Sequence, residues 1–422
     1  MSELGPSPLA AGDKNLSVAE ARAAIAASLT PIAGDETVDL PEALGRVLAQ
    51  DLLSPIDVPA HDNSAMDGYA FDGALLRDDA PLDLPVQGTV YAGQPFAGVP
   101  DRLAALRIMT GAVMPPGHDT VVPQELASAG DGRVRIEPGA VRRGDNRRRR
   151  GEDLSAGRPA LHAGRLLRPA DMGLIASLGI ESVRVRRRLR VALFSTGDEL
   201  RSPGQALDAG CVYDSNRSSL RAALQRLGVE VVDLGLVPDD PAALQATLEQ
   251  AIAQADAVLT SGGVSVGEAD HTRALLARLG EVAFWKVAMR PGRPFAFGPL
   301  RAADGGPRWL FALPGNPVAA LVTFYVFARE ALLQLAGATP QPLPVLRARS
   351  VAPIRKRPGR TEFQRAVVSP GTEGWQVQTT GTQGAGILRS MSEANALLVL
   401  GHEQGSVAAG EFVDVWLFDG LA

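Results

Sequence analysis

From Arg190 to Ala336 short apolar runs alternate with longer segments of helical spacing, and this alternation limits the possible folds more than any single motif. Strand-like runs stand at Val191 to Phe194, Val229 to Leu234, Ala257 to Leu259 and Trp309 to Leu313. Between them lie helical runs at Ser218 to Leu227, Pro241 to Gln254 and His271 to Leu279. A last run follows Pro317, with Leu321, Phe324, Tyr325 and Ala328 on one face, and closes near Ala336. Such an order predicts a doubly wound, mostly parallel α/β sheet that binds its ligand at the C-terminal ends of the strands.

The chain has 422 residues, more than one ordinary core needs, so two to four domains are expected. Ser17-Val-Ala-Glu20 predicts a capping box opening an alanine-rich helix that ends near Pro31. Pro41 to Gln50 reads as a second helix, and helical spacing returns at Ala170 to Leu178. The stretch from Ser54 to Asp145 is rich in Pro, Gly and short apolar runs such as Leu106 to Met109, which suits a small β-rich module inserted between two parts of a helical region. Pro340, Pro342 and Pro344 mark a linker, and short strands with glycine turns beyond it predict a small β-barrel. The expected α/β multidomain fold is therefore a split helical domain (15–53 and 146–188), an inserted β-rich domain (54–145), the α/β core domain (189–338) and a C-terminal β-barrel (339–422).

A single cysteine, Cys211, excludes an intrachain disulfide and fits a reducing compartment. The five histidines are too scattered for a zinc site, so any metal is expected to be oxygen-ligated. Val318 to Ala328 is too short to span a bilayer, and Met1 to Asn15 lacks the apolar centre of a signal peptide, so a cytoplasmic protein without membrane contact is expected. A net charge of −5 argues against bulk nucleic-acid binding, although arginines cluster at 147–150 and 184–190.

The chemistry concentrates where the predicted strands end. Ser261-Gly-Gly-Val-Ser-Val-Gly-Glu-Ala-Asp270 follows a buried strand and precedes a helix, so its glycines Gly262, Gly263 and Gly267 let amides turn toward an anion while Ser261 and Ser265 add hydroxyls. A carboxylate beside a phosphate, here Asp270, calls for a divalent cation between them. Taken alone, a glycine-rich strand-to-helix turn is at least as often a tight connection. Three further loops converge on the same edge: Ser195 to Glu199, Pro238-Asp239-Asp240, and Leu313-Pro314-Gly315-Asn316-Pro317. Singly, Glu199, Asp239 and Asp270 read as helix caps or solvated turns; jointly they can hold a hard cation next to a phosphate. Lys286, Arg290 and Arg293 surround a proline-glycine turn that suits an oxyanion and equally a basic surface turn. In the first half, His61 to Tyr69, Met109-Thr110-Gly-Ala112 and Arg147 to Asp153 are polar clusters that read either as binding edges or as ordinary charged loops.

This ordered set of motifs, with Pro291-Gly-Arg-Pro294 and Pro358-Gly-Arg360 added, resembles the molybdopterin molybdenumtransferase family of MoeA type, which includes the gephyrin E domain. The resemblance spans nearly the whole chain. It implies an elongated homodimer of four-domain subunits that inserts molybdenum from molybdate into adenylylated molybdopterin and releases AMP with magnesium as cofactor. It also implies transient contact with a molybdopterin adenylyltransferase and with apo-molybdoenzymes. Glu199, Asp239 and Asp270 are then assigned to the pterin-nucleotide site, the last two beside magnesium, and the 262–267 loop to phosphate. Asp62, Thr110 and Asp153 match positions implicated in activity, in a cleft that a second subunit completes. Lys286, Arg290 and Arg293, with Arg360 and Ser390 of the barrel, resemble the molybdate-collecting set; Ser392 competes with Ser390, and many relatives have lysine at 290 and 293. A molybdopterin adenylyltransferase shares the α/β core but lacks the other segments, and a non-catalytic scaffold of the same fold is the other alternative.

Overall fold

The computed structural model describes residues 15–262, 269–341 and 343–418, and of residues 269–273 the backbone alone. Strand β1 (Arg190–Thr196) is buried beyond its first residue, sending Val191 and Leu193 into one core and Ala192 and Phe194 into another. A strand covered on both faces reads as an unbroken apolar run, as parallel strands between helical layers do. It is followed by α1 (Ser215–Arg226), β2 (Glu230–Val237), α2 (Pro241–Gln254), β3 (Ala257–Ser261), α3 (Ala269–Leu279), β4 (Ala283–Val287), β5 (Pro294–Arg301), β6 (Pro307–Leu313) and α4 (Pro317–Leu335). The sheet runs Asn15–Leu16, β4, β5, β6, β3, β1, β2. Strands β6, β3, β1 and β2 are parallel, as the sequence pattern predicts. The hairpin-like pair β4 and β5 joins them antiparallel, an addition hidden by the basic turn between the two strands. The strand order reverses between β1 and β3, which opens a crevice beyond their C-terminal ends.

Leu220, Ala223 and Leu224 of α1 and most of α4 cover one face; Leu248, Ala251 and Ile252 of α2, with Leu275 and Leu276 of α3, cover the other. Helix α4 runs through a π-helical turn, Phe324–Ala328, to Leu335, ending where the sequence predicts, near Ala336. By length and composition α4 would cross a membrane, but its apolar residues are spent on the core. The same core takes Val18, Ala21 and Ile25 of the N-terminal helix Val18–Ser28, with Leu29 just beyond it. That helix opens with the expected capping box: Ser17 Oγ accepts from the Glu20 amide at 3.2 Å and Glu20 Oε2 accepts from the Ser17 amide at 2.8 Å.

The second expected helix, Pro41 to Gln50, does not form. Leu40–Glu42 makes one 3-10 turn, Gly45 adopts φ +72°, and Val47 and Leu48 bridge to Leu166 and Val185. Leu48 is drawn into a core with Leu161, Leu167, Ile175, Val183 and Val185, and this tertiary pull overrides local helical spacing. Around that core Asp35–Asp39 pairs with Ser182–Arg186 and Leu52–Leu53 with Pro159–Leu161, leaving Pro169–Ser177 as its helix. Between these segments lies a six-stranded sheet that includes Gly68–Phe71, Leu82–Val90 and Ala105–Ile108. At the C-terminal end Thr361–Gly371, Gly374–Thr379, Leu346–Ser350, Phe412–Leu417 and Ala396–Leu400 pair in sequence, and the last pairs back with the first to close a barrel. We propose that these separate cores mark four domains, the N-terminal helix riding on the α/β one.

Candidate active site at the sheet crevice

Three loops leave the C-terminal ends of β2, β1 and β3 side by side because those strands are neighbours in the sheet. After β1, Gly197 adopts φ +149° and Glu199 folds back so closely that a Cβ on Gly197 would lie 2.5 Å from its Oε2. Asp198 Oδ1 accepts from the Asp239 amide at 3.1 Å and so fixes the loop after β2. After β3, Gly262 adopts φ +94° with its Cα side pressed against Thr196, where a Cβ would sit 2.6 Å from the Thr196 carbonyl oxygen. Only glycine fits there. Gly263, Ser265 and Gly267 lie outside the described residues; Asp270 occupies the first turn of α3, and its side chain lies outside them too. Among the described residues no three His, Cys, Asp or Glu side chains gather as a ready-made metal cage.

Beside these loops a cleft of about 920 Å³ opens, lined by Glu199, Asn216, Arg290, Arg293, Arg360 and the 314–317 turn among others. Its size suits a ligand larger than a nucleotide base alone. The N-terminal ends of α1 and α4 both face it, through Asp214 to Asn216 and Asn316 to Pro317, and helix N-termini favour anions. Asp214 itself is buried and neutralised within a network: it accepts from Ser195 Oγ, the Arg217 amide and Arg217 Nε, while Arg217 Nη1 bonds both oxygens of Asp233. Burial pushes Arg217 down, but the Asp233 and Asp214 carboxylates together hold it above its ordinary range.

The cationic wall comes from two domains joined by a short strand, since Met289–Arg290 pairs with Thr361 and Glu362 of the barrel. Gly292 allows that turn to pack on α4; a Cβ there would meet Thr323 Oγ1 at 2.3 Å. Arg360 Nε donates to the buried Glu362 at 2.9 Å, which fixes it at the rim. Arg290 has no hydrogen-bond or ion-pair partner among the described residues, so its charge faces the cleft uncompensated.

Several expected site residues stand elsewhere. Lys286 is exposed on β4 and does not line the cleft. Ser390 is buried, accepting from Arg365 Nε at 3.0 Å and donating to the Ile387 carbonyl at 2.6 Å. Ser261 is buried at the end of β3, held by Asn216, and does not line the cleft. Asp62, Thr110 and Asp153 do not line the cleft. Asp62 accepts from the Arg150 amide at 2.8 Å, Thr110 donates its amide and hydroxyl to Asp67 at 2.7 Å each, and the Asp153 amide donates to Val58. Sequence reasoning missed Asn216 and the 383–388 wall; an N-cap signal, Asp214 before an amphipathic run, marks the first, and no local signal marks the second.

Three family models match in chain order: the MoeA N-terminal region (domains I and II) over 16–179, a probable molybdopterin binding domain over 192–334, and the MoeA C-terminal region (domain IV) over 347–418. A molybdopterin molybdenumtransferase of Haemophilus influenzae is 42% identical over 389 residues, covering 92% of this chain and 94% of that one. Molybdopterin molybdenumtransferase 2 of Mycobacterium tuberculosis is 38% identical, covering 90% and 94%. The crystal structure of a molybdopterin biosynthesis MoeA protein from Pyrococcus horikoshii superposes with a TM-score of 0.79 at 28% identity, over 96% of this chain and all of that one. The chain belongs to the molybdopterin molybdenumtransferase (MoeA) family.

Proposed function

We propose that this enzyme, a molybdopterin molybdenumtransferase of molybdenum cofactor biosynthesis, takes adenylylated molybdopterin and molybdate, loads the metal onto the dithiolene and releases AMP. One observation carries the reading: a single cleft has the Glu199 loop and two helix N-termini at the sheet end and, facing the barrel, the uncompensated Arg290 with Arg360. A phosphoanhydride needs the first and a tetrahedral oxyanion the second.

Asp239, on the loop after β2, and Asp270, in the first turn of α3, follow the strands that flank β1, and one or two carboxylates completed by substrate phosphates is how magnesium is usually held. Their all-oxygen donor chemistry fits that ion, and when bound it would neutralise the anhydride oxygens. The protein's own groups do the rest. Gly262 and the 314–317 turn let backbone approach the phosphates, and Glu199 borders the pterin-nucleotide. Arg290, Arg293 and Arg360 bring the oxyanion toward the sulfurs. An oxyanion oxygen attacks the adenylyl phosphorus as the bond from that phosphorus to the pterin phosphate oxygen breaks; the dithiolene sulfurs then bond to molybdenum and displace the oxygen now held by the adenylyl phosphorus, so AMP leaves with that oxygen and the metal stays on the sulfurs. Fixed cations aimed at that developing charge are the catalytic contribution. In a homodimer the Asp62, Thr110 and Asp153 group would complete the second subunit's cleft, in a cytoplasmic setting.

The test is anaerobic incubation with adenylylated molybdopterin, magnesium and either molybdate or tungstate, following AMP and metal-loaded cofactor. Oxyanion-dependent AMP release is expected. Formation of adenylylated molybdopterin from molybdopterin and ATP, without its consumption, would overturn the assignment in favour of adenylyl transfer.

A further inference from the structure

A second cavity, of about 400 Å³, shares no lining residue with the cleft. Three parts of the chain wall it: the N-terminal helix through Arg22, Ile25 and Ala26, the 164–168 loop ahead of the helix Pro169–Ser177, and the second half of α4 with the linker beyond it. Its edges are fastened. Gln334 Nε2 on α4 donates to the carbonyls of Ala26 at 2.9 Å and Leu29 at 3.1 Å. The Thr339 amide donates to the Gly164 carbonyl at 2.8 Å, and a Cβ on Gly164 would meet Thr339 Oγ1 at 2.4 Å, so glycine alone permits that approach. The cavity is thus a gap held between tied elements rather than a loose join. The π-helical turn of α4 reaches it with Val326 and Phe327, and such turns recur at functional sites.

The wall has two chemical characters. Ile25, Leu166, Phe327 and Leu333 make it apolar, while Arg22, Arg165, Arg168 and Arg329 make it cationic, with Glu330 the one carboxylate among the described lining residues. Arg22 is paired with Glu330, whose Oε1 is buried with no hydrogen-bond partner among the described residues. Arg165 Nη2 and Arg168 Nε both turn to Asp171, at 2.7 and 3.8 Å, and that aspartate is buried outside the cavity. Arg165 Nε is buried without a partner as well. Arg329 is half-buried, and burial pushes it below its ordinary range. Sites for small organic molecules have this composition, a mostly apolar lining with a few charged groups that set orientation. Surplus guanidinium selects an anion, and a carboxylate matches its fork.

We propose that this cavity is a binding site for a small organic acid, a carboxylate carried on one compact apolar body, which when bound ties the N-terminal helix and α4 to the split domain. The carboxylate lies toward Arg165 and Arg168, and the apolar body packs against Phe327 and Leu333. Nothing in this site depends on the chemistry of the cleft.

The test is calorimetry on the full-length protein with 4-phenylbutyrate, its neutral amide and acetate. Saturable binding of one 4-phenylbutyrate per chain is expected, with the amide and acetate weaker by about tenfold or more, because each lacks one half of the match. Arg168→Glu sets a carboxylate at the rim and Ala26→Trp fills the space; both positions are exposed and neither lines the cleft. Each variant is expected to lose about tenfold or more in 4-phenylbutyrate affinity, while oxyanion-dependent AMP release in the absence of the acid stays within about twofold of wild type. The acid should raise the Tm of the wild type and leave that of either variant unmoved. Should one variant fail to fold, the other carries the test. A wild type with no saturable 4-phenylbutyrate binding, whether the cavity is empty or closed by a second copy of the chain, overturns the proposal. So does an amide that binds as tightly as the acid, an affinity unchanged in both variants, or displacement of the acid by AMP, which would place it in the cleft.

Discussion

The side-chain amide nitrogen of Asn216 lies 2.6 Å from the hydroxyl oxygen of Ser261 and, with its second hydrogen, 2.6 Å from the Gly315 carbonyl. One side chain at the start of α1 therefore ties the end of β3 to the turn before α4, and both ties border the cleft. Asn216→Ala should release both loops at once. Each lost hydrogen bond is worth about 1 kcal/mol, so kcat/KM for the adenylylated substrate is expected to fall about tenfold or more. A kcat/KM within twofold of wild type would show that the loops hold their places without Asn216.

Arg290 is expected to respond differently to its two obvious replacements. Arg290→Ala removes an unpaired cleft cation, so the KM for molybdate should rise about tenfold or more while the KM for adenylylated molybdopterin moves little. Arg290→Lys keeps the charge as a point donor and should recover most of that loss. If alanine and lysine variants show the same molybdate KM, charge at 290 is not what the oxyanion meets.

How far the sequence disclosed this site depends on the kind of contact involved. Strand β1 and its parallel neighbours were legible because two-faced burial writes an unbroken apolar run. Gly262 and Gly292 were legible as members of glycine turns, and the structure adds why nothing larger fits. Pro41 to Gln50 misled because its spacing suits a helix, while Leu48 is claimed by a core built from residues more than a hundred positions away. Asn216 and the 383–388 wall stayed hidden for the same reason, since their partners are set by how β3, α4 and the barrel meet. Ser390 shows the limit from the other side: a serine in a suitable motif spends its hydroxyl on Arg365 and Ile387.

Asp67 is held below the usual carboxylate range by the hydrogen bonds it accepts from the Thr110 amide and then the Thr110 hydroxyl. A carbon-detected NMR titration should place its midpoint below about 3.9, the ordinary aspartate value. Thr110→Ala removes the hydroxyl but keeps the amide, so the midpoint should move upward only part of the way. A midpoint at or above the ordinary value in the wild type would mean that the Thr110 pairing does not persist in solution.

An ion pair joins the split region to the α/β sheet. Arg187, just beyond the strand Ser182–Arg186, grips Asp256 with two prongs at 2.7 and 2.8 Å, and Asp256 also accepts from the Arg190 amide at 2.9 Å just before β3 begins. Burial pushes Asp256 upward, but Arg187, the Arg190 amide and the more distant Arg308 together bring it below its ordinary range. A carboxylate depressed in the folded state stabilises fully above its unfolded value, about 3.9, and that contribution fades as pH falls through the lower folded value. Asp256→Asn should therefore cost about 2 kcal/mol at pH 7, the worth of a partly buried charged hydrogen-bond set. Urea unfolding at pH 7, 5, 4 and 3 should show the gap between wild type and variant holding down to about pH 5 and narrowing below it. A gap that stays constant down to pH 3, or no gap at pH 7, would place the stabilising weight of this join on packing rather than on the ion pair.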